Sequence, residues 1–155
     1  MRLVPPVTID QLNDEWEKDC NIDFRDPDLD LELLKLSSLH SKYCRIRSHH
    51  KQTSFALDEK FRNLKELRRE WIEGKSTLET LEKYGWQQYQ GNAITMRTAQ
   101  ESKLEHDPEL TKILLKKKLQ DLIVEQCDLY LKELNGRNFA LRGVIDNRRF
   151  LKGND

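Results

Sequence analysis

The sequence predicts an all-α protein of two long antiparallel helices with short N- and C-terminal helices. Three observations predict it. Two stretches open on the same acid–proline–acid–leucine box, Asp26-Pro27-Asp28-Leu29 and Asp107-Pro108-Glu109-Leu110, and neither of the runs that follow contains another proline. Apolar residues along both runs recur mostly at steps of three and four, the spacing of one helix face. Charged residues make up 35% of the chain and hydrophobic ones 37%, a composition of exposed, elongated helices rather than of a thick core.

The elements follow in order. Thr8-Ile9-Asp10-Gln11 is a capping-box pattern, and Ile9, Leu12 and Trp16 then share a face of a short helix ending near Cys20-Asn21. Trp16 either packs back on the first long helix or leaves an acidic amphipathic arm free to dock on a basic partner protein. Ile22 and Phe24 stand where they could staple onto the next helix. That helix spans Asp26 to Gly74, with Asp26 as N-cap, Pro27 in the first helical position and Gly74 as the residue past the end. Leu36, Leu39, Tyr43 and Ile46, then Leu57, Phe61, Leu64 and Trp71, form a narrow, coiled-coil-like seam. Between these runs, from Arg47 to Ser54, the seam turns polar. There it must leave the core, meet a partner's polar groups, or bend.

Ser76 to Lys83 reads as a short helix with Ser76 as N-cap. The aromatic stretch Tyr84 to Asn92 contains two glycines and reads as a loop. Ile94 to Thr98 is either extended or the start of a helix through Glu105. The second long helix follows Asp107 to about Leu134, with a wide apolar face from Leu110, Leu114, Leu115, Leu119, Leu122, Ile123, Tyr130, Leu131 and Leu134. Asn135-Gly136 reads as its stop, and Arg137 to Leu151 as a short final helix. The organisation expected is an acidic N-terminal arm (1–25), a helical core (26–135) and a C-terminal oligomerisation helix (136–155). Phe139, Leu141, Val144 and Phe150 are the residues expected to bury against neighbouring protomers.

A formal net charge of zero hides segregation: residues 1–34 hold 10 acids against 3 bases, whereas residues 35–75 hold 11 bases against 5 acids. The basic body of the first long helix is either a solvated face or a groove for a polyanion. Cys20, Cys44 and Cys127 are scattered and odd in number, which predicts free thiols in a reducing compartment. No signal-peptide pattern or membrane-spanning apolar run is present. Phosphate-loop and dinucleotide glycine motifs are absent, and His49-His50 are adjacent rather than at the i, i+4 spacing of a two-histidine metal face. No catalytic residue, metal or cofactor is expected.

One constellation stands above this background. Lys60, Arg62, Lys65, Arg68 and Arg69 are the densest bases in the chain, a ladder suited to phosphates. Trp71 follows them and could offer a stacking face for a base or pack in the core. Lys116-Lys117-Lys118 is a second basic run.

The chain also resembles the UvsY family, the recombination mediators of tailed phages. The sharpest match is Phe139-Ala140-Leu141-Arg142 with Val144, Asp146, Arg148, Phe150 and Gly153. Weaker matches are Ile22-Asp23, Ser41-Lys42-Tyr43, and Leu64-Lys65 with Arg68, Glu70, Trp71 and Gly74. The resemblance implies binding of single-stranded DNA and a ring-like homo-oligomer of about six or seven subunits. It also implies assistance to a RecA-like recombinase in displacing single-strand-binding protein, in the host cytoplasm. In the family's DNA motif a Lys and an Arg flank one residue; aligned from Gly74, Arg68 keeps the Arg, and Glu66 stands where the Lys would be. The alternative is a helical adaptor that binds only proteins.

Overall fold

The computed structural model describes residues 8–21 and 28–153. Their elements are α1 (Ile9–Asp19), α2 (Leu29–Ile72), α3 (Leu78–Tyr84), α4 (Arg97–Glu105) and α5 (Pro108–Lys152), with no strand among the described residues. Contacts divide the chain into two compact units, one from Met1–Gln52 with Leu119–Asp155, the other from Thr53–Lys118. The predicted N-cap Asp26, helix-opening Pro27 and staple residues Ile22 and Phe24 lie outside the described residues.

In the first unit, α1 is part of the core. The capping box forms as its residues dictate: Gln11 N donates to Thr8 Oγ1 at 3.2 Å and Thr8 N to Gln11 Oε1 at 3.3 Å. Leu12 and Trp16 are then buried with Leu36, Leu39, Tyr43 and Ile46 of α2 and Ile123, Cys127, Tyr130, Leu134, Leu141 and Ile145 of α5. Trp16 stacks on Tyr130 with centroids 4.1 Å apart, and Tyr43 meets both rings edge-on at 5.2 and 5.6 Å. Two acids of α1 are spent inside the chain, Asp19 on Lys42 Nζ (2.7 Å) and Tyr43 Oη (3.0 Å), and Glu15 on Lys42 (3.1 Å). Trp16 therefore packs back on the long helices, and α1 is not a free docking arm.

The polar interruption of α2 meets polar groups of α5, and helical hydrogen bonding continues through it, since α2 runs without a break from Leu29 to Ile72. Arg47 Nε donates to Asp128 Oδ1 at 2.5 Å, and buried His50 places Nδ1 2.7 Å from Gln120 Oε1.

The stop at Asn135-Gly136 is not there. α5 runs unbroken from Pro108 to Lys152, and Gly136 has no positive φ. Leu134 and Leu141, seven residues apart, are both fully buried on one face. That shared burial outweighs the roughly 1 kcal/mol that glycine costs within a helix. The apolar face of α5 is also narrower than its leucines suggest: Leu115, Leu119 and Leu122 are exposed, while Ile113, Val124 and Cys127 are buried.

In the second unit, Leu64, Ile72, Leu104, Leu110 and Ile113 form the core, with Leu57, Phe61, Trp71, Trp86 and Tyr89 against it. Gly74, at φ 73°, closes α2 as expected: Lys75 N donates to Glu70 O at 2.9 Å and Gly74 N to Trp71 O at 3.0 Å, a Schellman pair. Thr77, not Ser76, caps α3, its hydroxyl accepting from Thr80 N at 3.2 Å. Ile94 is tied to the end of α2 through Ile94 N and Ile72 O at 2.9 Å, and the helix through Glu105 then starts at Arg97. Asp107 caps α5, Oδ1 accepting from Glu109 N (2.9 Å) and Leu110 N (3.1 Å).

All three cysteines are free thiols. Burial pushes the Cys127 thiol up to about 12 and the Cys20 thiol up to about 11. Alkylation near neutral pH is therefore expected to label the partly exposed Cys44 first, with the other two following only as the unit opens. Equal native-state rates at all three, read by mass spectrometry, would contradict this burial.

Candidate nucleic-acid interface

The basic run of α2 lies in the second unit, and three of its five bases are already engaged there. Arg68 sits opposite the start of α5 and is 8% exposed. Its Nε is 3.1 Å from Asp107 Oδ2 and its Nη2 3.2 Å from Glu109 Oε1. Its guanidinium lies between two indoles, 5.0 Å from the Trp71 centroid and 4.0 Å from that of Trp86. Lys65 and Arg69, one turn apart, share Glu101 of α4 at 2.6 and 2.7 Å. Arg69 also pairs with Glu66, and the hydrogen bonds it donates to Glu66 and then to Glu101 hold its guanidinium above its usual range. The reciprocal bonds from Lys65 and Arg69 hold the Glu101 carboxyl below the usual carboxylate range.

Arg62 and Lys60 remain on the surface. Among the described residues Arg62 is paired only with Asp58, one turn back, at 2.6 Å, with its side chain 73% exposed. Such an exposed intrahelical pair is worth about 0.2–0.5 kcal/mol and yields readily to competing anions. Glu66, one turn on from Arg62, turns to Arg69 instead. Lys60 is exposed, with no ion pair among the described residues.

Trp71 is half-buried rather than presented. Its Nε1 donates to Gln87 O at 2.8 Å, and Tyr89 meets its ring edge-on at 4.9 Å. The aromatic loop that follows α3 thus packs on Trp71. Arg68 is thus buried and Trp71 half-buried in the packing of the unit itself. The physical reason is that the i, i+4 line Leu64, Arg68 and Ile72 is the line that α2 buries.

The same unit holds a groove of about 530 Å³ that the basic ladder did not foretell, lined by Lys60 and Asn63 of α2, Tyr84 at the end of α3 and Lys112 of α5. Its only signal in the sequence was an aromatic residue placed just before a helix-ending glycine. Of the residues expected to form an oligomer, Leu141 is fully buried in the chain's own core and Val144 packs against it, whereas Phe139 and Phe150 are 77% and 66% exposed. Among the described residues, no group of three or more His, Cys, Asp or Glu could hold a metal, and no helix is long and apolar enough to cross a membrane.

Crystal structures of the bacteriophage T4 recombination mediator protein UvsY share this fold. One superposes with a TM-score of 0.76 at 19% identity over 98% of each chain. A second crystal form gives 0.75 at 18% identity over 91% of this chain and 97% of the other, and a third 0.70 at 20% over 90% and 97%. No curated protein sequence matches the chain. The family model described as "Recombination, repair and ssDNA binding protein UvsY" matches residues 15–154, nearly the whole chain, and the protein therefore belongs to the UvsY family.

Proposed function

We propose that this protein is a non-enzymatic recombination mediator: it binds single-stranded DNA and helps a RecA-like recombinase load onto DNA covered by single-strand-binding protein. The observation that carries this reading is the family match across residues 15–154. Lys60 and Arg62 are the residues of the α2 ladder proposed to take phosphates first, being exposed and weakly held. Lys65 and Arg69 join only where phosphates outcompete Glu101.

With no net charge, one protomer is a poor ligand for a polyanion. A ring-like homo-oligomer multiplies the effective concentration of modest sites, so that they become avid together. Wrapping a strand on such a ring would strain its contacts with single-strand-binding protein. Exposed Phe139 and Phe150 are the proposed contacts between protomers, on the segment 136–155. The two long helices are proposed to run antiparallel. Asp30 with Arg149, Arg47 with Asp128 and His50 with Gln120 support this, since rising numbers on α2 meet falling numbers on α5 or stay within a turn of that order. The setting proposed is the cytoplasm of a phage host, away from membranes.

A protein-only adaptor is the second reading, favoured by the internal pairing of Lys65, Arg68 and Arg69. Affinity for oligo-dT across a salt series separates the two. The mediator reading expects log affinity to fall linearly with log salt; absence of any salt-dependent binding leaves the adaptor. Native mass spectrometry of Phe139→Ser with Phe150→Ser is expected to give smaller species than the wild type. An unchanged oligomer mass would remove these two rings from the interface.

A further inference from the structure

Internal pairing on α2 leaves a different set of bases free in the second unit. Lys60 and Lys112 both line the 530 Å³ groove, both are exposed, and neither has an ion pair among the described residues. Lys116 is exposed and unpaired in the same sense, and lies one turn beyond Lys112 on the same face of α5. Four residues rise about 6 Å along a helix, a step that one nucleotide of an extended strand can follow.

The groove itself has the parts that a nucleobase requires. Its floor is apolar, from buried Leu64 and Ile113. Tyr84, 40% exposed, forms a wall, and its ring is held by stacking on Trp86 at 4.9 Å and 26°. Asn63 contributes an amide that can both donate to and accept from a base edge. Two acids also line the groove. Glu109 is turned to Arg68 at 3.2 Å, which leaves Glu59 as the one carboxylate there without a cation partner among the described residues. A volume of this size suits a small organic ligand or a nucleotide. An apolar pocket rimmed by lysines and edged by an aromatic ring is the combination by which single strands are held without sequence preference.

We propose that this groove seats one nucleotide of a single strand, with the base against Tyr84 and Asn63 and the phosphates on Lys60, Lys112 and Lys116. The proposal rests on the single-stranded-DNA reading given above and places the strand across the α2–α5 groove of the second unit, rather than along the Lys65–Arg69 flank.

The test uses the full-length protein, fluorescence anisotropy and a salt series, with labelled oligo-dT beside an abasic strand of equal length. Tyr84→Leu is expected to weaken oligo-dT by about tenfold, the order of one lost base–aromatic stack, and to change the abasic strand by no more than about twofold. Tyr84→Phe, which restores the ring, should recover most of that loss. Lys112→Ala with Lys116→Ala is expected to weaken both strands and to lower the salt slope by roughly one to two. Glu59→Gln should tighten both. Circular dichroism checks that each variant keeps its helices. If the wild type binds oligo-dT and the folded variants match its affinity and salt slope, the groove is refuted while single-stranded-DNA binding stands. If Tyr84→Phe loses as much as Tyr84→Leu, the ring is not the contact and the base pocket falls. A wild type without salt-dependent binding overturns both readings together.

Discussion

Trp16→Ala is expected to lower the unfolding free energy of the first unit by about 3–5 kcal/mol, the range for removing a large aromatic residue from a core. The residue is 8% exposed and stacks on Tyr130, with Tyr43 edge-on to both rings. Arg137 lies 5.6 Å from its ring and donates to Cys20 O at 2.6 Å, so the end of α1 is fastened to α5 as well. The cavity would be bordered by three helices that cannot all close on it. A urea titration should show the midpoint falling with little change in slope. A loss under about 1 kcal/mol would mean that α1 is only appended to the surface, and would revive the free-arm reading.

Arg68→Ala should be nearly as damaging to the second unit, by about 3–5 kcal/mol, because it strands a shielded carboxylate. The Arg68 and Asp107 side chains are 10% and 12% exposed. Without the guanidinium, Asp107 loses its partner, and Trp71 and Trp86 lose the cation between them. Asp107 also caps α5, so replacing it with alanine would confuse two effects. Asp107→Asn keeps a capping oxygen and removes the charge. The double variant Arg68→Ala, Asp107→Asn should therefore regain part of the lost stability. Oligo-dT affinity, corrected for the folded fraction, should barely change in Arg68→Ala. A stable Arg68→Ala that loses DNA affinity would return Arg68 to the strand.

The helices were legible where local chemistry and burial agree. The Thr8 box, the Asp107 cap and the Gly74 terminus depend on short-range bonds, and each sits where its residues put it. Asn135-Gly136 carries equally clear local chemistry and was misleading, because Leu134 and Leu141 are buried on both sides and tertiary packing overrides the stop. The ladder on α2 was visible as a count of bases, but its availability was not. Whether a lysine or arginine faces water depends on acids supplied from elsewhere: Glu101 lies 36 residues from Lys65, and Asp107 comes from the next long helix. The groove at Lys60, Tyr84 and Lys112 was illegible for the same reason, since α2, α3 and α5 contribute one wall each. Nothing in the spacing of those residues links them.

The two units differ in how much chain must exist before each can form. The second is contiguous, Thr53–Lys118, and its Lys65–Glu101 pair closes a short loop. The first joins the two ends of the chain: Tyr130 with Asn13 and Arg137 with Cys20 are each separated by 117 residues. Longer loops cost more entropy to close, about 0.6 kcal/mol per doubling, and distant contacts form more slowly. On a ribosome the order is stricter still. The segment holding Leu36, Leu39 and Tyr43 is synthesised long before Ile123 to Ile145, the residues that bury it. Until α5 emerges only α1 can cover that seam, so the first unit can complete its core only after the whole segment of the second has been synthesised.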